Sequence, residues 1–117
     1  MDILKREFTA QDGSFLIQLR PNLIWDKEAF STLAAAMETC CKQCEQQETL
    51  DRWMVEGFWY MSWFVREWTS HPNFPRPLPL QYYEQSLRRL EALSYWYFSG
   101  CSPYQGDDSR KFGDFGM

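Results

Sequence analysis

From residue 26 onward the hydrophobic positions of this chain recur at helical spacing, whereas the first 25 residues show a shorter and imperfect alternation. In residues 1–25, Ile3 to Phe8 and Phe15 to Leu19 flank Ala-Gln-Asp-Gly-Ser, and Asp12-Gly13 is a dipeptide of the kind that turns one strand back on another. This stretch therefore reads as an extended or β-hairpin ribbon, which Arg20-Pro21-Asn22 then breaks. Over 26–46 the pattern predicts a first helix. Asp26 is its natural N-cap, Glu28 suits the positive end of the helix dipole, and Phe30, Leu33, Met37, Cys40, Cys41 and Cys44 share one face.

A second helix is expected over 50–70, where Met54, Phe58, Met61, Val65 and Trp68 follow a 4-3-4-3 seam that Trp53, Tyr60 and Phe64 broaden. Gly57 interrupts this pattern at a cost of about 1 kcal/mol relative to Ala, which suggests that something approaches the helix closely there. His71 to Pro79 is a proline-stiffened connection, and Pro79 suits the opening of a third helix over 79–99. That helix places Tyr83, Leu87, Leu90 and Tyr97 on one face, widened by Leu93 and Phe98, and Gly100 is its expected terminator. Residues 101–117 read as an irregular tail. The expected architecture is mainly α: a three-helix bundle crossed by an N-terminal extended or β-hairpin ribbon, forming one domain over residues 1–117.

Composition adds two constraints. Aromatic residues make up 18% of the chain, so a few bulky side chains must account for much of the buried area. The net charge is −4, and residues 26–52 contribute −3 of it, with six acids against three bases. No basic patch of the kind that holds nucleic acid is visible, and the acidic balance fits a cationic protein partner better. No stretch reaches the ~20 apolar residues needed to cross a bilayer. The N-terminal MDILKREF lacks an apolar secretory core, which points to the cytoplasm and to four reduced cysteines.

Candidate chemistry is sparse. Cys41-x-x-Cys44 resembles half a zinc site that Cys101 and either Cys40 or His71 would complete, but the helix-one cysteines lie on the apolar face, where Cys packs as a small hydrophobe. The single His71 has no Ser, Cys or Asp at a recognisable spacing. Glu56 and Glu67, and Glu84 and Glu91, form no paired carboxylate patch, and Glu84 with Arg88 reads as surface support at i,i+4. No phosphate-cradling loop, nucleophile elbow or HExxH is present, so neither an enzyme nor a metal or cofactor is expected.

The anomaly lies on the back of the second helix. At 100° per residue Trp59 and Trp63 stack one turn apart, away from the apolar seam, on a side shared with Arg52, Glu56, Arg66 and Glu67. Trp96 falls similarly toward the polar side of the third helix. Either the ribbon or the tail covers these rings, or they are offered to a partner with Glu56, Arg66 and Glu67 around them.

Several segments give the chain a likeness to small bacterial immunity proteins of polymorphic-toxin systems. They are Asp12-Gly13-Ser14-Phe15-Leu16, Trp25-Asp26 with Ala29-Phe30, Glu56-Gly57-Phe58-Trp59-Tyr60, Trp68 with His71-Pro72-Asn73-Phe74-Pro75, Tyr82-Tyr83-Glu84 and Trp96-Tyr97-Phe98-x-Gly100. The resemblance implies a cytoplasmic, non-enzymatic protein that binds a cognate toxin domain and blocks it. A different reading is a regulatory helical domain holding a small ligand in a pocket of Trp53, Tyr60, Tyr82 and Tyr83, and a third is a hydrolase using His71 and a carboxylate.

Overall fold

The structure, a computed structural model, describes residues 2–103. Five helices follow in order: α1 (Asp2–Phe8), α2 (Phe15–Asn22), α3 (Lys27–Cys44), α4 (Arg52–Thr69) and α5 (Leu80–Ser99). The fold is thus mainly helical, and the expected bundle helices α3, α4 and α5 lie within a few residues of their predicted ranges.

The N-terminal ribbon is corrected. Residues 2–22 form two short helices joined by a tight corner, and no strand occurs among the described residues. The local chemistry explains the difference. Leu, Lys, Arg and Glu in α1 are good helix formers. Asp12-Gly13 does not join strands but leads into a helix start, where Ser14 is the N-cap and its hydroxyl accepts from the Ile17 N–H at 3.3 Å. Phe15, Leu16 and Leu19 are buried on one helical face of α2, a spacing that also passes for a short apolar strand. Pro21, expected to break the element, sits inside the last turn of α2, and the chain leaves the helix one residue past Asn22, where Leu23 adopts a left-handed conformation at φ 56°.

The other boundary signals act as anticipated. Asp26 caps α3 by accepting from the Ala29 N–H at 3.1 Å. Pro79 stands immediately before α5. Gly100 ends it at φ 75°, with its N–H donated to the Trp96 carbonyl at 2.8 Å. Of the tail, 101–103 carry no regular element and the remainder lies outside the described residues.

The core is centred between α3, α4 and α5. Phe58 and Tyr97 are stacked 4.3 Å apart with their planes 8° from parallel, and the Ser94 hydroxyl donates to the Phe58 carbonyl beside them at 2.9 Å. Trp25 ties the other end together. Its ring meets Phe15, Phe30 and Tyr83 at 4.9, 5.1 and 5.3 Å, and its indole N–H donates to the Tyr82 hydroxyl at 2.9 Å.

The N-terminal pair is tied together and fastened to this core by several contacts. Leu4 is fully buried. Glu7, also fully buried, reaches from α1 to the start of α2, where its Oε1 accepts the Phe15 N–H at 2.8 Å. Finally, the Trp68 indole of α4 donates to the Leu19 carbonyl at 2.8 Å, near the end of α2. The close approach anticipated at Gly57 is the Phe8 ring lying directly on α4, in the space a Cβ at that position would need.

Candidate interaction face

The outer face of α4 is built by helix periodicity alone. Met54, Phe58, Met61 and Val65 point into the core and are almost fully buried, which fixes the orientation of the residues between them. Trp59 and Trp63 are thereby held outside, 51% and 49% exposed. Their rings stack at 5.3 Å and within 5° of parallel. The first two helices therefore leave about half of each indole open. The tail as an alternative cover lies outside the described residues.

The charged neighbours divide. Glu56 and Glu67 are exposed, as expected for this side of the helix. Arg66 is half-buried and crosses to α5, where it pairs with Glu91 at 2.7 Å, so it braces the α4–α5 interface while flanking the tryptophans.

Trp96 is elsewhere. It is 5% exposed, and its indole N–H donates to the Glu45 carboxylate at the end of α3 at 2.7 Å. It is removed from the interaction face. A wheel drawn for one helix anticipates one packed side, but α5 packs against both α4 and α3, and the second neighbour covers what looks like a polar flank. Glu84 and Arg88, expected to pair, are both exposed and make no ion pair among the described residues.

Other candidate chemistry is dispersed. Cys40 and Cys41 are buried in the core, and Cys44 lies at its margin, with its sulfur 3.9 Å from that of Cys40. Burial pushes the Cys40 thiol up to about 12, with the neighbouring Cys44 adding to the effect; Cys41 is raised further, again chiefly by burial. Such thiols are poor nucleophiles at neutral pH. Among the described residues no three His, Cys, Asp or Glu side chains converge as a metal site would require. His71 is exposed, and its Nδ1 accepts the Asn73 N–H at 3.2 Å. It lines a small apolar niche with Leu23, Trp68, Asn73 and Phe74, and no carboxylate lines that niche.

The four aromatics of the small-ligand reading are divided. Trp53 and Tyr60 line one groove, Tyr82 lines a cleft beside Lys27 and Phe30, and Tyr83 is buried with its hydroxyl accepting the Leu78 N–H at 3.2 Å.

Sequence reasoning missed that groove. It runs between the N-terminal helices and α4, and its cations come from separate elements. The Lys5 ammonium lies 5.4 Å from the Trp53 ring centre and the Arg20 guanidinium 5.7 Å from that of Phe64. Only the packing of α1 and α2 as helices brings these cations to α4, and no spacing along the chain announces it.

No helix among the described residues is long and apolar enough to cross a membrane. No protein-family model, curated protein or solved structure matches the chain.

Proposed function

We propose that this chain is a non-catalytic binding protein that docks a protein partner on the outer face of α4, with Trp59 and Trp63 as anchors. The observation that carries the reading is the coplanar, half-exposed indole pair on a helix whose opposite side is locked in the core. Two large apolar rings left in water gain free energy when a partner covers them, at about 25 cal/mol per Å² of apolar surface removed. Because the rings already stack on a rigid helix, little side-chain freedom remains to be lost on docking. Tryptophan is also the residue type most enriched among side chains that dominate interface energetics. Glu56 and Glu67 form a polar border around them, as interface rims do.

The partner we favour is the toxin domain of a polymorphic-toxin system, met in the cytoplasm and blocked by direct binding. The likeness of the segments around Trp25, Glu56–Tyr60, His71–Pro75 and Trp96–Gly100 to immunity proteins supports this choice. The net charge of −4 would speed encounter with a basic toxin enzyme.

The test is calorimetric titration of the full chain with the toxin domain encoded beside its gene. Trp63→Ala should weaken binding by at least about thirtyfold, the equivalent of roughly 2 kcal/mol for an interface anchor. Absence of binding by the wild-type chain, or wild-type affinity in Trp63→Ala, would overturn the proposal.

A further inference from the structure

The Trp59–Trp63 face does not stop at the tryptophans. Trp59 also lines the groove of about 400 Å³ that separates the N-terminal helices from α4, floored by Phe8, Gly57 and Tyr60. A second depression of about 510 Å³ continues along Ile17, Pro21, Phe64 and Trp68. The two share Ala10, Leu16 and Arg20, so they form one trough beside α4. The trough exists because α1 and α2 pack mainly on α3 and reach α4 sparingly, through Phe8 on Gly57 and the Trp68–Leu19 hydrogen bond.

We propose that this trough receives an acidic amphipathic helix of the protein partner, an inference that rests on the α4 outer face being the docking surface. Three observations fix the occupant. The trough is continuous with the tryptophan face through Trp59. The described residues offer no sheet edge, so an incoming peptide cannot add as a strand, and a trough running along α4 between aromatic walls suits a helix laid in a groove.

The third observation is charge. Lys5 and Arg20 stand over the aromatic wall, and neither has a carboxylate within ion-pair distance among the described residues. The single acid lining the trough is Glu56, near the Trp53 end. The chain's overall −4 does not set the sign here, because −3 of it belongs to residues 26–52. Each cation is held over a ring face, which leaves its N–H groups free to meet a carboxylate, and Arg20 is able to do so through two parallel bonds.

The spacing sets the register. Trp53 and Phe64, beneath the two cations, are eleven residues apart on one helix. That is about 16 Å at the helical rise, so the occupant carries acids about three turns apart with an apolar stripe between them.

The probe is a synthetic helical peptide of about 15 residues, long enough to span the three turns, with a Leu stripe and Glu flanks and without Trp. Its counterpart replaces every Glu by Lys. Intrinsic tryptophan fluorescence of the full chain reports binding.

We expect saturable binding of the Glu peptide. It should weaken at least tenfold in Lys5→Glu/Arg20→Glu, and also when salt screens the wild-type pairing, while the Lys peptide should bind the wild type at least tenfold more weakly. Lys5→Gln/Arg20→Gln should fall between, and unchanged melting curves would show that the variants fold. Equal binding of the two peptides, no saturable binding of the Glu peptide, or indifference to both double variants overturns the proposal.

The same variants separate this inference from the reading beneath it. Toxin-domain binding lost in Trp63→Ala but indifferent to Lys5→Glu/Arg20→Glu removes the trough and leaves the tryptophan face. Binding that survives Trp63→Ala but is lost in the charge variant does the reverse.

Discussion

Two aromatic stacks start from adjacent residues of α4 and occupy opposite environments. Phe58 lies flat on Tyr97 inside the core, fully buried, with a neighbouring helix holding both rings. Trp59 lies flat on Trp63 outside, about half exposed, and both rings belong to α4 itself. Both stacks are near-parallel, with centroids 4.3 and 5.3 Å apart, and ring–ring attraction of roughly 0.5–1.5 kcal/mol in either place does not decide their roles. The difference is what each stack joins. Phe58–Tyr97 connects α4 to α5, while Trp59–Trp63 connects successive turns of one helix and contributes nothing to holding the helices together. Adjacent residues thus divide between making the fold and facing outward from it, and a substitution series should separate the two roles.

The largest effect is expected at the inner stack. Phe58→Ala removes a fully buried ring, the contact with Tyr97 and an edge contact with Phe8 at 5.7 Å. A loss of about 3–5 kcal/mol is expected from the buried surface and the cavity left behind. Urea denaturation would measure it as a lower midpoint with little change in slope. A loss below about 1 kcal/mol would mean that this layer is not the packing centre of the bundle.

Gly57→Ala should come next, because it acts at the seam between core and groove. Alanine favours the helix by about 1 kcal/mol, but its Cβ would occupy the space of the Phe8 ring. Overpacking of this kind costs typically about 1–3 kcal/mol, and Phe8 cannot turn aside without losing its edge contacts with Trp53 and Phe58. The net expectation is destabilisation, accompanied by faster amide exchange in α1 than in α4. A rise in melting temperature would show that Phe8 is free to move away and that α1 is only loosely attached.

These contrasts also explain what could be read from the sequence. The three long helices were legible because Leu33, Met37, Met54, Phe58, Met61 and Leu90 repeat at helical spacing, and because Asp26 and Gly100 mark ends by local chemistry alone. That Trp59 and Trp63 face away from the seam was legible for the same reason, because a strong seam fixes where the other residues point. Whether the N-terminal segment or the tail covers them was not, and the structure leaves them about half exposed among the described residues. The first two helices were not legible as helices. Each spans only about two turns, too few repeats to tell a helical stripe from a short apolar run, and α1 buries Glu7 beside Leu4, so a polar residue occupies a core position and the pattern misleads. Trp96 was misplaced because its cover comes from Glu45, fifty-one positions earlier. Lys5 and Arg20 could not be placed on α4 without knowing that α1 and α2 are helices.

Glu7 gives a subtler test of how the N-terminal pair is fixed. Its Oε1 accepts from Phe15, while its Oε2 is buried with no partner among the described residues. Burial raises its pKa above the ordinary 4.5, against smaller lowering effects from the Phe15 N–H and from Arg6. A raised folded-state pKa means that the folded state holds the proton more tightly than the unfolded chain. Its stabilising contribution is complete below about 4.5 and is lost as pH rises through the folded-state value. Glutamine retains the acceptor for Phe15 and resembles the protonated acid. Glu7→Gln should therefore gain stability relative to wild type as pH rises from 4 toward 8, read as a widening difference in melting temperature. A difference independent of pH would mean that Glu7 titrates as it does in the unfolded chain.

The smallest effect on stability is expected where the largest effect on binding is proposed. Trp63→Ala removes the outer stack and some half-buried ring surface, but alanine is the better helix former and no interhelical contact is lost with the Trp59 partner. The two contributions nearly offset, so thermal denaturation should register a change below about 1 kcal/mol. Trp59→Ala should behave alike, since its ring stacks on Trp63 and otherwise borders the open groove rather than the core. A loss comparable to that of Phe58→Ala would show that these rings serve the fold after all, and their exposure would then need no partner to account for it. A near-neutral melt combined with weakened partner binding would separate the two stacks by function as sharply as the structure separates them by position. One residue along the chain is 100° around the helix, and here that rotation carries an aromatic ring from the centre of the bundle to its outer surface.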